Sequence, residues 1–385
     1  YAAVASILSL NALPHPAAPV GATLAVARNQ RKEPEKMKYI NFDKAASIPL
    51  LPAAKSAFLH ACQGNPSSAH TLGREAKAEL EQARQTIARC LNCEGDEVYF
   101  ASGATESCNW MMYCLSLHGR KVYPFFGVHH AVSEYPIPVA SIADIGSVSN
   151  VALTLVNNET GQINDISAFR SPCGCLLALD ATAAVGHTPV NFKALGADYM
   201  AFGGHKFGAP TGIGALIVRR GVPLRPMVYG GAQERGMRGG TTPVPLAAAM
   251  AAALAWHTEH MAENMKATAE VRDILLCYLK INGVDFQRNL DPFELNAPHI
   301  LSLRFPGVYG ATLAAALSDK GVFVSTGSAC SSGSNRPSDV LRAAGLSSEE
   351  ALSTVRFSFD HNNTPEEARA VAMAIADLIP SLKHD

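Results

Sequence analysis

Three short segments place reactive side chains just past β-rich runs. Ser102–Ser107 reads SGATES and follows EVYFA. A strand, then Ser-Gly-Ala-Thr, then a helix start aims free backbone N–H groups at an anion, and helix N-termini bind phosphate for that reason. Thr105 adds a hydroxyl. Asp180 follows the apolar run CLLAL, and a carboxylate at a strand end can pair with a cationic heterocycle. His205 and Lys206 follow DYMAFG inside the Gly-rich stretch GGHKFGAPTGIG. Lysine is the amine that forms Schiff bases once its surroundings disfavour its charge. Taken singly, each segment has an ordinary reading: a helix N-cap, a second helix cap and a solvated surface lysine. Together they supply a phosphate cup, a pyridinium partner and an imine-forming amine, the contacts that pyridoxal phosphate requires. A fourth segment, VSTGSACSSGS (Val324–Ser334), holds Cys330 among small residues that cannot build a core around it.

Open α/β sheets bind ligands at the carboxyl ends of their strands, so the scaffold implied is of that kind. The runs VALTLVN, CLLALDA, DYMAFG and GALIVRR have strand length and alternate with helical segments such as AKAELEQARQTIARCL. That alternation predicts an α/β domain with a mostly parallel sheet, over residues 50–255. PLAAAMAAALAWHTEHMAENMKATAEVRDILLCYLK reads as one long Ala-rich helical stretch leading out of it. Beyond it, HILSLRFPG and VRFSFD read as strands among helical GATLAAALSDKG, PSDVLRAAG and TPEEARAVAMAIADLI. Residues 37–49 and 256–385 are therefore expected to form a smaller α+β domain. Thr364-Pro365-Glu366-Glu367 is a helix start, with Thr as N-cap, Pro in the first turn and Glu three residues on.

The bulk numbers agree with this scaffold. The chain has 385 residues, beyond the usual limit of a single core, so two domains are expected. It is 48% apolar and 17% charged, as suits a globular protein with a large core. A formal net charge of -1 leaves no basic footprint for nucleic acid, and no apolar run has membrane-spanning length. Nine scattered cysteines, an odd number, argue against a secreted disulfide framework. Cys90 and Cys93 form a C-x-x-C, and Cys173 and Cys175 a C-x-C, neither with a second pair at zinc-finger spacing. No metal is expected. Residues 1–36 are Ala-rich and acid-poor and fit either a transit-like leader or an extension upstream of Met37. They are set aside from the fold. A cytoplasmic location is expected, or an organellar one if those residues are a transit peptide.

The ordered motifs NFDKAAS, GNPSSAH, SGATES, HHAV, VNNETG, DATAAVGH, GGHKFGAPTGIGAL, GGAQERGMRGGT, STGSACSSG and VRFSF run from about Tyr39 to near the C-terminus. With them the chain resembles the pyridoxal-phosphate cysteine desulfurases of the NifS/IscS type, in the class V aminotransferase group. The resemblance implies a fold type I transferase. It implies that Lys206 holds the cofactor, that Asp180 pairs with the pyridine nitrogen and that His129 stacks on the ring. Thr105 with the neighbouring amides of Gly103 and Ala104, and His205, match phosphate ligands. Asn158 matches an asparagine near the cofactor's phenolic oxygen and the substrate. Arg356 matches the arginine that clamps the substrate carboxylate, a job suited to its planar fork. Asn65 lies in a segment that approaches the substrate. Thr241 matches a residue reaching the partner subunit's phosphate, so a homodimer is implied. Cys330 matches the nucleophile, which takes sulfur from L-cysteine as a persulfide and passes it to an acceptor such as an iron–sulfur scaffold or a thiolation carrier. Small, polar, Gly-rich neighbours suit a thiol that must collect sulfur at one place and deliver it at another.

Four features depart from the family pattern. Ala183 stands where DAxQ usually has glutamine, and it cannot donate to the phenolic oxygen. Weaker control of the cofactor's protonation is expected. Gly203 replaces a phosphate-binding serine, and Asp360 a glycine after RFSF. The segment between His130 and Asn157 is short by about one strand–helix pair. These losses leave room for a degenerate homologue that acts as a binding partner, against which stand Lys206, Asp180, His129, Arg356 and Cys330. Selenocysteine lyase, or another class V transaminase or lyase that makes no use of Cys330, are the enzymatic alternatives.

Overall fold

The computed structural model describes residues 39–124, 127–136, 150–166, 175–290, 295–327 and 336–383. In chain order the elements begin with β1 (Ile40–Asn41), α1 (Pro52–His60), α2 (Thr71–Leu91), β2 (Val98–Ala101), α3 (Ala104–Ser116), β3 (Val122–Pro124) and α4 (His130–Ser133). Next come β4 (Asn150–Thr154), β5 (Leu177–Asp180), α5 (Phe192–Leu195), β6 (Tyr199–Gly203), β7 (Gly214–Val218), α6 (Val244–Glu259) and α7 (Met261–Ile281). The remainder comprises β8 (Gln287–Arg288), β9 (Ile300–Arg304), α8 (Gly310–Asp319), β10 (Val322–Phe323), α9 (Asp339–Ala343), α10 (Ser348–Leu352), β11 (Thr354–Ser358) and α11 (Pro365–Leu382).

Six strands form one sheet in the order β2-β7-β6-β5-β4-β3. The pairs β3–β4, β4–β5 and β5–β6 are parallel, and β7 runs antiparallel to both its neighbours. Hence β2 to β6 all point the same way, and their carboxyl ends share one edge. Side chains alternate between two covered faces, as the pleat requires. Met200, Phe202, Ala215, Ile217, Leu177 and Leu179 face one core, whereas Tyr199, Ala201, Leu216, Val218 and Ala178 face another. Helices α1, α2 and α6 contribute to the first core and α3 to the second. Burial on both faces explains why these strands read as unbroken apolar runs. Each large apolar side chain so buried contributes about 1.5–3 kcal/mol.

The stretch expected as one long helix is two. At His260 the backbone turns to φ -100° and ψ 13°, which separates α6 from α7. The Ala-rich α6 is buried in the first sheet core, whereas Val271, Leu275 and Leu279 of α7 belong to a separate core with β9, β11 and α11. The sequence is helical throughout, and the break comes from the need to reach two cores. Phe42, beside β1, is buried in that second core, and β1 pairs with β10. α11 begins as expected: Thr364 accepts from the Glu367 N–H in a full capping box, with Pro365 at the first position.

No helix among the described residues is long and apolar enough to cross a membrane.

Candidate active site

The shared strand edge gathers the chemistry. After β2, the first N–H groups of α3 have no side-chain cap at Gly103. Two close approaches bring β6 and β7 against this helix start. A Cβ on Gly203 would lie 3.1 Å from the Ala104 nitrogen, and one on Gly214 would lie 2.5 Å from the Gly103 carbonyl carbon. The glycine at 203 therefore lets β6 end directly beneath the anion cup.

A cavity of about 320 Å³ opens there. Ala104, Thr105, His129, Asn158, Asp180, His205, Lys206 and Arg356, expected from sequence to act together, all line it. Lys206 follows β6 in a 3-10 turn, and its Nζ donates to the carbonyl oxygens of Ala45 at 2.7 Å and Ala46 at 3.1 Å. Asp180 ends β5, is 5% exposed and accepts from the Thr182 N–H at 2.9 Å. The Cys108 thiol lies beside that carboxylate, and burial followed by Asp180 pushes its pKa well up, so it stays protonated.

His129 Nδ1 accepts the Ala131 N–H at 3.1 Å, which leaves Nε2 as the protonated nitrogen of the neutral ring. Burial, the largest influence, lowers its pKa. Burial and then the Lys206 charge push His205 down to about 4, so it too is neutral near pH 7. Arg356, on β11, is 2% exposed. Its Nη2 donates to Asp43 Oδ1 at 2.8 Å and its Nη1 to the Asn158 carbonyl at 2.9 Å, while its buried Nε has no partner.

Several of the expected residues fall elsewhere. Cys330 lies outside the described residues, as do Cys173, residues 1–36 and, in the short segment after His130, residues 137–149. Asn65 and Thr241 are exposed and are not among the residues lining this cavity; Asn65 accepts the Ser67 N–H at 2.9 Å. The turn before Thr241 holds Glu234 at φ 47° and Arg235 at φ 59°, a left-handed conformation that costs non-glycine residues about 1–3 kcal/mol each. Buried Arg84 holds Glu234 through bonds of 2.9 and 3.0 Å, and Arg235 lies 4.0 Å over the Tyr99 ring. Asp360, odd by the family pattern, forms a buried 2.8 Å ion pair with Lys44.

Sequence reasoning missed Asp43, the Ala45 and Ala46 carbonyls, Cys108 and Thr182. Thr182 lines the cavity with a buried hydroxyl that has no partner. It also missed the histidines behind the site. His187 Nε2 donates to the Lys206 carbonyl at 2.8 Å, and His299 Nε2 to the Ala183 carbonyl at 3.0 Å, with the two rings stacked at 4.1 Å. His257 and His361 adjoin them, near Asp360. Burial lowers the pKa of all four, that of His257 to about 3. Each binds fewer protons folded than unfolded, so their contribution to stability is full above about pH 6.5 and is lost as pH falls below it. Urea unfolding at about pH 7 and about pH 5 should show lower stability at the acid end, and His257→Asn should flatten the slope. Equal slopes for the two proteins would refute that origin.

A family model described as aminotransferase class-V matches residues 40–130 and 143–371. The chain belongs to this family. It is 31% identical over 376 residues to "Cysteine desulfurase IscS" of Dictyoglomus turgidum, across 89% of this chain and 95% of the relative. A solved structure titled "NIFS-LIKE PROTEIN" superposes with a TM-score of 0.81 at 28% identity, covering 90% of this chain and all (100%) of that one. A second, "SspA in complex with cysteine", superposes at 0.70 with 27% identity, covering 84% and 99%. The class V aminotransferase depends on pyridoxal phosphate, and its donor set fits that group: uncapped helix amides for an anion, a buried carboxylate for a ring cation, an amine and an unsatisfied Thr182 hydroxyl.

Proposed function

We propose that the protein is a cysteine desulfurase that converts L-cysteine to L-alanine and passes the sulfur to an acceptor protein. The observation that carries the reading is the convergence of Lys206, Asp180, His129, Asn158 and Arg356 on one cavity of a class V chain. Cysteine bound in a related solved structure agrees with the substrate.

Pyridoxal phosphate, when bound, supplies an electron sink for the substrate's α-carbon. Lys206 Nζ is the attachment point and carries protons to and from that carbon. Asp180 holds the ring nitrogen's charge, with its carboxylate oriented by the Thr182 N–H. The amides of Gly103, Ala104 and Thr105, with His205, take the phosphate. His129 would cover the ring, and Asn158 would serve the phenolic oxygen. Arg356 presents its free Nε and remaining N–H groups to the substrate carboxylate. The Cys330 thiolate attacks the substrate sulfur. The C–S bond breaks, the carbon gains a proton to give alanine, and the sulfur stays on Cys330 as a persulfide.

The same reading includes a homodimer in which Thr241 reaches the phosphate of the other subunit. It includes the division into a 50–255 domain and a domain of residues 37–49 with 256–385, which the separate cores support. It also includes a cytoplasmic location, since the chemistry needs reduced thiols. The acceptor serves iron–sulfur cluster assembly or tRNA thiolation. Selenocysteine lyase and the degenerate homologue are less favoured, because the relative of Dictyoglomus turgidum carries the name of a cysteine desulfurase. With L-cysteine and a reductant the holoenzyme should release sulfide and alanine in equal amounts. Sulfide no higher than from Cys330→Ser would rule the reading out.

A further inference from the structure

We propose that Arg238 is a positioning residue for the cofactor's phosphate: by pairing with Glu106 it cancels a carboxylate that stands at the anion cup. What the pair governs is capture of the class V cofactor, so the identity of the substrate does not enter.

Glu106 lies in the first turn of α3, directly after Ala104 and Thr105, whose amides belong to the cup. Its Oε2 accepts the Ser102 N–H at 2.8 Å, so the carboxylate folds back over the loop that enters the helix. A carboxylate there suits the positive end of a helix. It also sets a like charge against any phosphate held by the same amides. The Glu106 side chain is only 13% exposed, so water and salt screen that repulsion weakly. Arg238 meets it with a two-pronged bond: Nε donates to Oε1 at 2.8 Å and Nη2 to Oε2 at 3.0 Å. Burial tends to raise the Glu106 pKa, but the bonds from Arg238 and Ser102 outweigh it and hold the carboxyl below its ordinary range. The pair is therefore ionised and without net charge.

Arg238 is held on a fixed mount. Its turn pairs with Val228, the Gly239 N–H donates to the Val228 carbonyl at 2.9 Å, and a Cβ on Gly239 would lie 2.6 Å from the Gly230 Cα. Glu234 of the same turn, clamped by Arg84, accepts the Phe100 N–H of β2 at 2.9 Å. Bonds to Phe100 and to Glu106 thus bracket the cup from both sides, one in the strand that enters it and one in the helix that leaves it.

The test reads cofactor binding without turnover. Apoprotein, made by stripping holoenzyme with hydroxylamine, is titrated with pyridoxal phosphate and, separately, with pyridoxal, which has no phosphate; visible absorption follows both. Arg238→Met should weaken pyridoxal phosphate about tenfold and leave pyridoxal within about twofold, because only the phosphate meets the uncovered carboxylate. Glu106→Gln, which removes the charge and keeps an acceptor for Ser102, should not weaken pyridoxal phosphate. Combining Glu106→Gln with Arg238→Met should restore its affinity to within about twofold of the original, whereas the losses of a merely structural pair would not cancel. Three results would each overturn the proposal: pyridoxal phosphate affinity unchanged in Arg238→Met, an equal loss for pyridoxal, or a double variant no better than Arg238→Met.

Discussion

Lys206→Ala is expected to remove the visible absorption of lysine-bound cofactor and to lower sulfide release by about 10³-fold or more, since a positioned proton carrier alone is worth 10²–10⁴. The reason lies in the placement of Nζ. It sits at the cavity floor, held by the Ala45 and Ala46 carbonyls, and its own backbone carbonyl is fixed by His187. Alanine leaves that backbone in place, so the fold should persist while both the covalent attachment and the proton carrier go. Lys206→Arg should lose activity as fully, because a guanidinium neither deprotonates nor forms the bond. Activity within about tenfold of the original in Lys206→Ala would mean that another amine does this work.

The second large effect is expected at Arg356. Truncating one partner of a buried charged hydrogen-bond pair costs about 2–5 kcal/mol, so Arg356→Ala should lower kcat/KM for L-cysteine by on the order of 10²-fold or more, mostly through KM. The guanidinium is oriented before substrate arrives, with Asp43 and the Asn158 carbonyl using one N–H of each terminal nitrogen. Asp43→Asn should loosen this orientation and give a smaller loss in the same direction. Cysteamine, which has no carboxylate, separates clamping from general damage: its slow turnover should be nearly equal in the original protein and in Arg356→Ala. An unchanged KM for L-cysteine would remove Arg356 from the substrate site.

Much of this site could be read from the chain because parallel strands bring their carboxyl ends to one edge. Thr105, Asp180 and Lys206 each follow a short apolar run, and the sheet order places those run ends together. Other parts carry no local signal. Ala45 and Ala46 reach the cavity, and Asp43 reaches Arg356, from the start of the described chain, and a backbone carbonyl looks the same in any alanine. The pairing of Lys44 with Asp360 joins positions 316 residues apart, so Asp360 looked like a lone oddity. The buried histidines behave likewise, since only the fold sets His187 and His299 face to face. The break at His260 was hidden because helix propensity continues across it, and β1 and β10, two residues each, are too short for alternation to show.

The central claim is that sulfur moves from cysteine to Cys330. It is tested most directly by incubating the holoenzyme with L-cysteine, without reductant, and weighing the peptide that contains Cys330. The account predicts a gain of one sulfur atom on that peptide, reversed by a thiol reductant and absent in Lys206→Ala. No added sulfur on Cys330, or the same gain in Lys206→Ala, would contradict it.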